Sequence, residues 1–205
     1  MGKAWTGVLL VVVGCLAVGA PAQNSPQTLL PLTVGGKFEY FANDLFGPGH
    51  LAARAAEAAV LKHGTNGFCD YGAGLNHYGR CLGAEEISAG INGSVKFGVD
   101  ALLRADPRYA RLGHGTLKRR IGYSLSQVFL IRTDRGGTAF NFGNVAGILT
   151  QSGLDNLYCA RSERGWRHSF ARVGTGMGTS ALFQLLGEFW PDVAHGVLHR
   201  ALPGQ

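Results

Sequence analysis

The chain has 205 residues, of which 46% are hydrophobic and 16% are charged, and its formal net charge is +6. The length is enough for one domain with a hydrophobic core. A mildly basic chain suits anionic lipid head groups or anionic polymers. The densest basic run, Lys118-Arg119-Arg120, is typical of a solvated helix face, and no aromatic-interleaved basic stripe indicates nucleic-acid binding.

Residues 1–22 have the three parts of a cleavable secretion signal. Lys3 supplies the positive start, Thr6 to Ala20 carries no charge, and Ala20-Pro21-Ala22 supplies a small-residue cleavage site. The uncharged run is shorter than the ~20 residues that a membrane-spanning helix needs. We therefore predict cleavage after Ala22 and export to the periplasm or to an outer-membrane-associated location.

A lipoprotein is the alternative outcome of the same segment. Val12-Val13-Gly14-Cys15 resembles a lipobox, which would leave Cys15 acylated as the new N-terminus. The apolar run continues past Cys15 to Val18, where lipoproteins usually turn polar, so simple cleavage is favoured.

The remaining chain is predicted to comprise a linker over 23–36, a single helical domain over 37–200 and a tail over 201–205. Pro26, Pro31 and the pair Gly35-Gly36 discourage regular structure in the linker. In an oxidising compartment Cys69 and Cys81 are a possible disulfide pair, with Cys159 left over.

Two helices are predicted in the first half of the domain. Pro48 fits the first turn of an alanine-rich helix that continues to Lys62, with Gly64 as its C-cap. After an irregular or partly helical segment over 65–83, a second helix opens at Glu85 and Glu86. One apolar face of this helix is formed by Ile87, Ile91, Val95, Val99 and Leu102.

Asp106-Pro107 is expected to end the second helix, with Asp106 in a helix N-cap arrangement. Further on, Leu117, Ile121, Leu125 and Val128 form another helical stripe, which runs on toward Arg132. Asn141 is expected to cap the next helix.

A last helical pattern runs from about residue 164 to Phe189, and Pro191 ends or restarts it. No long segment alternates as a strand would. The predicted fold is all-α, a compact glycine/alanine-rich bundle of about five to seven helices.

Glycine is unusually frequent, with 32 residues, many of them inside helical patterns. Each such glycine costs about 0.8–1 kcal/mol relative to alanine, so close helix packing is expected to offset the cost. The small residues that stand four apart are Gly122 with Ser126, Gly143 with Gly147, and Gly174 with Gly178. This spacing fits a soluble bundle or helices that associate upon a membrane.

Catalytic and metal-binding patterns are sparse. His195 and His199 share a helix face with Asp192, but Gly196 stands where a zinc protease has its glutamate. We therefore predict no metal and no cofactor. Glu57 and Glu188 lie among apolar residues, which would raise their pKa values as a general acid requires.

Charged residues near the predicted helix ends form a possible structural ion-pair cluster, or alternatively a ligand site. They are Asp106, Arg108, Arg132, Asp134, Glu188 and Asp192.

Short segments that include these charges resemble a family of small exported bacterial proteins with no assigned activity. The resemblance covers about residues 40–192, and it implies one envelope domain without bringing any catalytic residues. Its segments are Phe46-Gly47-Pro48-Gly49-His50, Asp106-Pro107-Arg108-Tyr109, Gly122-Tyr123-Ser124-Leu125-Ser126, Arg132-Thr133-Asp134, Phe140-Asn141-Phe142 and Glu188-Phe189-Trp190-Pro191-Asp192.

The leading functional hypothesis is a non-enzymatic cell-envelope protein that docks on a membrane surface or on another envelope protein. The alternative is a periplasmic hydrolase that acts on an envelope polymer with a buried carboxylate as general acid or base.

Overall fold

The computed structural model describes residues 30–64 and 75–201, and it is helical almost throughout. The prediction of an all-α bundle is confirmed: the described residues form six α-helices and one short hairpin. The helices are α1 (Val34–Phe46), α2 (Pro48–Gly64), α3 (Leu75–Leu102), α4 (Leu117–Ser126), α5 (Phe142–Tyr158) and α6 (Trp166–Ala201), and a 3-10 turn spans Arg161–Glu163.

Helices α3 and α5 lie antiparallel at the centre of the molecule. A Cβ atom on Gly143 would overlap Oδ1 of Asp100, and one on Gly147 would overlap Oδ1 of Asn92. The absence of side chains on α5 therefore makes room for polar side chains of α3. Helix α5 therefore approaches α3 closely at Gly143 and Gly147.

Three other glycines predicted for close packing make no such approach to a described residue. A Cβ on Gly122, Gly174 or Gly178 would meet no described atom within 4 Å beyond its own surroundings in the helix. Ser126 donates its hydroxyl to the Tyr123 carbonyl of its own helix at 2.6 Å. Four-residue spacing shows which small residues share a helix face, but not whether a neighbour covers that face.

Two helices begin earlier in the chain than the sequence predicts. Helix α1 begins inside the predicted 23–36 linker, because the Thr33 side chain accepts a hydrogen bond from the Gly36 amide at 3.1 Å and so caps the helix. Helix α3 begins at Leu75, before Glu85 and Glu86. Glu86 pairs across to Arg54 of α2, with Oε1 and Nε 3.0 Å apart.

Helix α6 continues through Pro191, where the sequence predicts an end or a restart. A proline removes one backbone donor from the helix ladder. In the preceding turn, the Glu188 carbonyl accepts hydrogen bonds from Arg111 Nε and Arg120 Nη2, both at 2.9 Å. Side chains from outside α6 thus support its backbone near the proline.

The stripe predicted to continue helically toward Arg132 instead ends at Ser126 and is followed by a hairpin. Strands β1 (Leu130–Arg132) and β2 (Thr138–Phe140) pair antiparallel, with Leu130 opposite Phe140. Three-residue strands are too short to show alternation in the sequence.

The segment after α3 joins this hairpin through a bridge between Ala105 and Thr133. The Asp106 amide donates to the Arg132 carbonyl at 2.8 Å. The prediction of Asp106 as a helix N-cap is therefore wrong: its carboxylate accepts instead from the Arg108 amide at 3.1 Å, in a segment that is not helical.

Candidate functional site

The Glu188 carboxylate lies fully buried in the middle of α6 and has a complete set of donors. Its Oε1 accepts from Arg120 Nε at 2.7 Å and from the Gly113 amide at 2.9 Å. Its Oε2 accepts from the Tyr109 hydroxyl at 3.0 Å and from the Leu112 amide at 2.9 Å. One side chain thereby fixes α4 and the loop after α3 against α6.

These donors decide the ionisation state of Glu188. Burial alone would raise its pKa, but the hydrogen bonds from Arg120 and from the amides of Gly113 and Leu112 outweigh burial and lower the pKa. The predicted raised pKa at Glu188 is wrong, because its neighbours in sequence are apolar whereas its neighbours in space are donors. This carboxylate is held as an anion, which is unsuited to a general acid.

The same cluster extends to Asp192, one turn further along α6. Asp192 Oδ2 lies 2.7 Å from Arg120 Nη2, and its other oxygen pairs with Arg111. The Arg120 guanidinium also lies 4.5 Å from the centre of the Phe189 ring. Glu188 and Asp192 are therefore locked by Arg111 and Arg120, two residues outside the ion-pair cluster that the sequence predicts.

A second charged cluster lies at the C-terminal end of α3. The buried Lys37 ammonium donates to Asp134 Oδ2 at 2.7 Å and lies 3.5 Å from the carbonyl oxygen of Asp100. The Asp100 side chain, also buried, pairs with Lys96 one turn earlier. Burial raises the pKa of Asp100, and the charge of Lys96 partly opposes that rise.

Asp106 and Arg108 complete this second cluster by pairing with each other. Arg108 Nε and Nη2 lie 2.9 Å and 2.6 Å from the two oxygens of Asp106. Arg132 contributes its carbonyl to the Asp106 amide. The six charged residues singled out from the sequence are thus divided between two structural clusters.

Polar groups also fill the contact between α3 and α5. Ser88 donates to Asp155 Oδ1 at 2.9 Å, and the Tyr158 hydroxyl donates to the same oxygen. Asn92 donates to Gln151 Oε1 at 3.0 Å. Ser88 and Asp155 are buried, so hydrogen bonds between polar side chains contribute to the seam between the two central helices.

Helix α5 exposes apolar side chains to solvent and buries polar ones. Its outward residues include Leu149 and Leu157, which are 52% and 73% exposed, together with Phe142. Its buried residues are Gly143, Asn144, Gly147, Ile148, Ser152 and Asp155. A helix of a soluble bundle normally buries its apolar stripe and exposes its polar one, so the amphipathicity of α5 is inverted.

Helix α3 shows the same inversion at the two ends of its apolar stripe. Ile87 is 51% exposed and Leu102 is 83% exposed. The positions that α3 buries are Cys81, Ala84, Ser88 and Asp100. The periodicity on α3 identifies a helix, but the two ends of its apolar stripe are exposed to solvent.

Exposed apolar residues lie at the end of α3, at Leu102 and Leu103, and on the outward side of α5, at Phe142, Leu149 and Leu157. We call this set of residues the apolar face. A groove of about 560 Å³ runs along it between the two helices, with Val99, Val145 and Ala146 also in its walls. Phe142 packs edge-on against Phe140 of the hairpin, with ring centroids 4.8 Å apart. The apolar face therefore extends toward the hairpin.

Comparison with family models, with curated proteins and with solved structures finds no match to this chain. The resemblance to small exported proteins stays a prediction. Within the described residues, no helix combines the length and apolar character needed to cross a membrane.

Some predicted site residues lie outside what the structure describes. They are Cys69 and the side chains of Glu57, His195 and His199. Cys81 is buried on α3. Among the described residues, no group of three or more His, Cys, Asp or Glu is arranged to hold a metal ion.

Proposed function

We propose that this chain is an exported cell-envelope protein that docks on the surface of an anionic lipid membrane through its apolar face. The observation that carries the proposal is the inversion of α5, which buries Asn144, Ser152 and Asp155 while it exposes Phe142, Leu149 and Leu157. A lipid surface supplies the apolar surroundings that these outward side chains lack in water.

Burial of the apolar face in a membrane would contribute enough free energy for measurable binding. Removing one leucine or phenylalanine side chain from water is worth about 1.5–3 kcal/mol. Each tenfold gain in affinity needs about 1.4 kcal/mol. Two or three residues of the apolar face that enter the interface would therefore give measurable binding.

The charges beside the apolar face favour anionic lipids. Arg104 directly follows Leu103 and is exposed, and Arg135 is exposed in the turn of the hairpin. Arg132 shares the outward side of β1 with Leu130. Basic side chains near an anionic bilayer surface contribute about 1 kcal/mol each.

The acidic residues in this region do not oppose such binding. Asp100 is buried and paired with Lys96, and Asp134 is paired with the buried Lys37. The outward charges next to the apolar face are therefore mainly positive. Export itself is proposed from residues 1–22, whose pattern is that of a secretion signal.

Flotation of the purified protein with lipid vesicles tests the proposal. We expect the protein to float with phosphatidylglycerol vesicles and to float less with phosphatidylcholine vesicles. The double substitution Leu149→Gln with Leu157→Gln should reduce binding at least tenfold. Leu117→Gln is the matched control, because Leu117 is also exposed but lies on α4, outside the apolar face.

Equal flotation of the double variant and the wild type would contradict the proposal. The proposal would also be contradicted if the protein bound no vesicles and light scattering showed a stable oligomer that covers the apolar face. That second result would assign the same face to a protein partner.

A further inference from the structure

A small pocket lies where the end of α3, the hairpin and the start of α5 meet. Its volume is about 180 Å³. The Asp100 carboxylate stands in its wall beside Gly143. The rest of the wall is apolar and consists of Leu103, Ala105, Ile131, Ala139, Phe140 and Phe142.

The two oxygens of Asp100 are in different situations. Oδ2 pairs with Lys96. Oδ1 lies against Gly143, and it accepts no hydrogen bond from the residues that the structure describes. Asp100 lines the pocket, and a carboxylate oxygen to which no group of the described residues donates can accept a hydrogen bond from a molecule that enters it.

The glycine is required for this arrangement. A Cβ at position 143 would occupy the place of Asp100 Oδ1. Because Asp100 is 2% exposed, its carboxylate is shielded from bulk water and meets mainly what enters the pocket. An interaction with a charged group is also stronger in such surroundings than in water.

We propose that this pocket binds a compact apolar molecule that carries one N–H or O–H donor, which is a small amine or alcohol. The donor bonds to Asp100 Oδ1, and the apolar body packs against Ile131, Phe140 and Phe142. Apolar cavities of ~150 Å³ bind benzene. A pocket of about 180 Å³ is therefore large enough for one ring and a short donor-bearing arm.

The pocket adjoins the groove of the apolar face, because Leu103 and Phe142 line both. A molecule that partitions into apolar surroundings can approach from that side. The ligand proposal does not depend on membrane docking, since it rests on Asp100 and the pocket walls alone.

Titration of the full chain with three probes of one size tests the proposal, with chemical-shift changes or heat as the readout. The probes are benzylamine, benzyl alcohol and toluene. We expect the amine, the alcohol or both to bind at least about tenfold more tightly than toluene, which leaves Asp100 Oδ1 without a donor. The comparison of amine with alcohol decides whether the ligand is charged.

Substitutions in and beside the pocket test whether the probes bind there. Ala139→Leu should fill the pocket and abolish binding, whereas Thr138→Val should leave it unchanged because Thr138 is exposed on the adjacent strand position. Asp100→Asn should weaken the amine more than the alcohol. If this variant does not fold, Ala139→Leu still decides the question.

Three results would overturn the proposal: no binding of either donor probe, toluene binding as tightly as both, or binding that survives Ala139→Leu. The first would show that Asp100 Oδ1 is satisfied without a ligand. The second would show that the pocket recognises apolar volume alone.

Discussion

Arg120 of α4 and Glu188 of α6 form an ion pair with Nε and Oε1 2.7 Å apart, although 68 residues separate them in the chain. The acid is fully buried and the arginine side chain is 13% exposed. Removing one partner of a buried pair leaves an uncompensated charge in the interior. The pair therefore acts as a structural link, and its loss should be costly.

We predict that Glu188→Gln lowers the free energy of unfolding by about 3 kcal/mol, because Arg120 loses its buried counter-charge. Urea unfolding followed by circular dichroism measures the change. Asp192→Asn is the matched control on the same helix, and its half-exposed carboxylate should contribute about 1 kcal/mol or less. An unchanged midpoint for Glu188→Gln would refute the structural role.

The two buried carboxylates should respond oppositely to pH. The pKa of Glu188 is lowered from its ordinary value of 4.5. Its stabilising contribution is thus present above that value and is lost as the pH falls through the folded pKa. We expect the wild type to lose stability in acid, and Glu188→Gln to reduce the slope in that range.

The pKa of Asp100 is instead raised from 3.8, chiefly by burial. Its contribution to stability is fully present below that value and declines as the pH rises through the folded pKa. The variant Asp100→Asn should therefore lose this pH dependence. Unfolding curves over a pH series decide the point, and a slope that matches the wild type would contradict it.

Two glycines of α5 and two of α6 should respond oppositely to alanine. Gly143→Ala and Gly147→Ala should each destabilise the protein by about 1–3 kcal/mol, because the new methyl displaces a packed side chain of α3. Gly174→Ala and Gly178→Ala should stabilise it by about 0.4–1 kcal/mol, because open space surrounds both positions. Thermal unfolding of the four variants compares them directly.

Substitutions at two neighbouring residues of α5 should have different effects on stability, because one residue lies on its buried side and the other on its exposed side. Ile148→Ala should cost about 2–4 kcal/mol, since Ile148 is buried. Leu149→Gln should change the free energy of unfolding by less than about 0.5 kcal/mol in water. A large loss from Leu149→Gln would mean that Leu149 packs against the protein itself.

Features that depend on nearby residues could be predicted from the sequence. The sequence predicts Asn141 as a helix cap, and its side chain accepts a hydrogen bond from the Asn144 amide at 3.1 Å at the start of α5. Pro48 begins α2, in the first turn where the sequence predicts it. Each of these signals acts within one helical turn, so the chain order contains all the information required.

The orientation of the helices could not be predicted in the same way. The apolar stripe on α3 has a clear helical period, yet Leu102 is exposed and Asp100 is buried. The usual rule assumes that apolar side chains face inward. Which side faces the core depends here on ion pairs and hydrogen bonds between distant segments, such as Lys37 with Asp134, and periodicity does not report them.

The polar seam between α3 and α5 has a consequence for the temperature dependence of stability. Exposure of apolar surface on unfolding raises the heat capacity, whereas exposure of polar surface lowers it. Unfolding exposes Ser88 and Asp155 of the seam, whereas Leu149 and Leu157 are already largely exposed to solvent in the folded protein. The heat-capacity increment should therefore fall below the ~12–15 cal/mol/K per residue of ordinary domains, which flattens the stability curve and weakens cold denaturation.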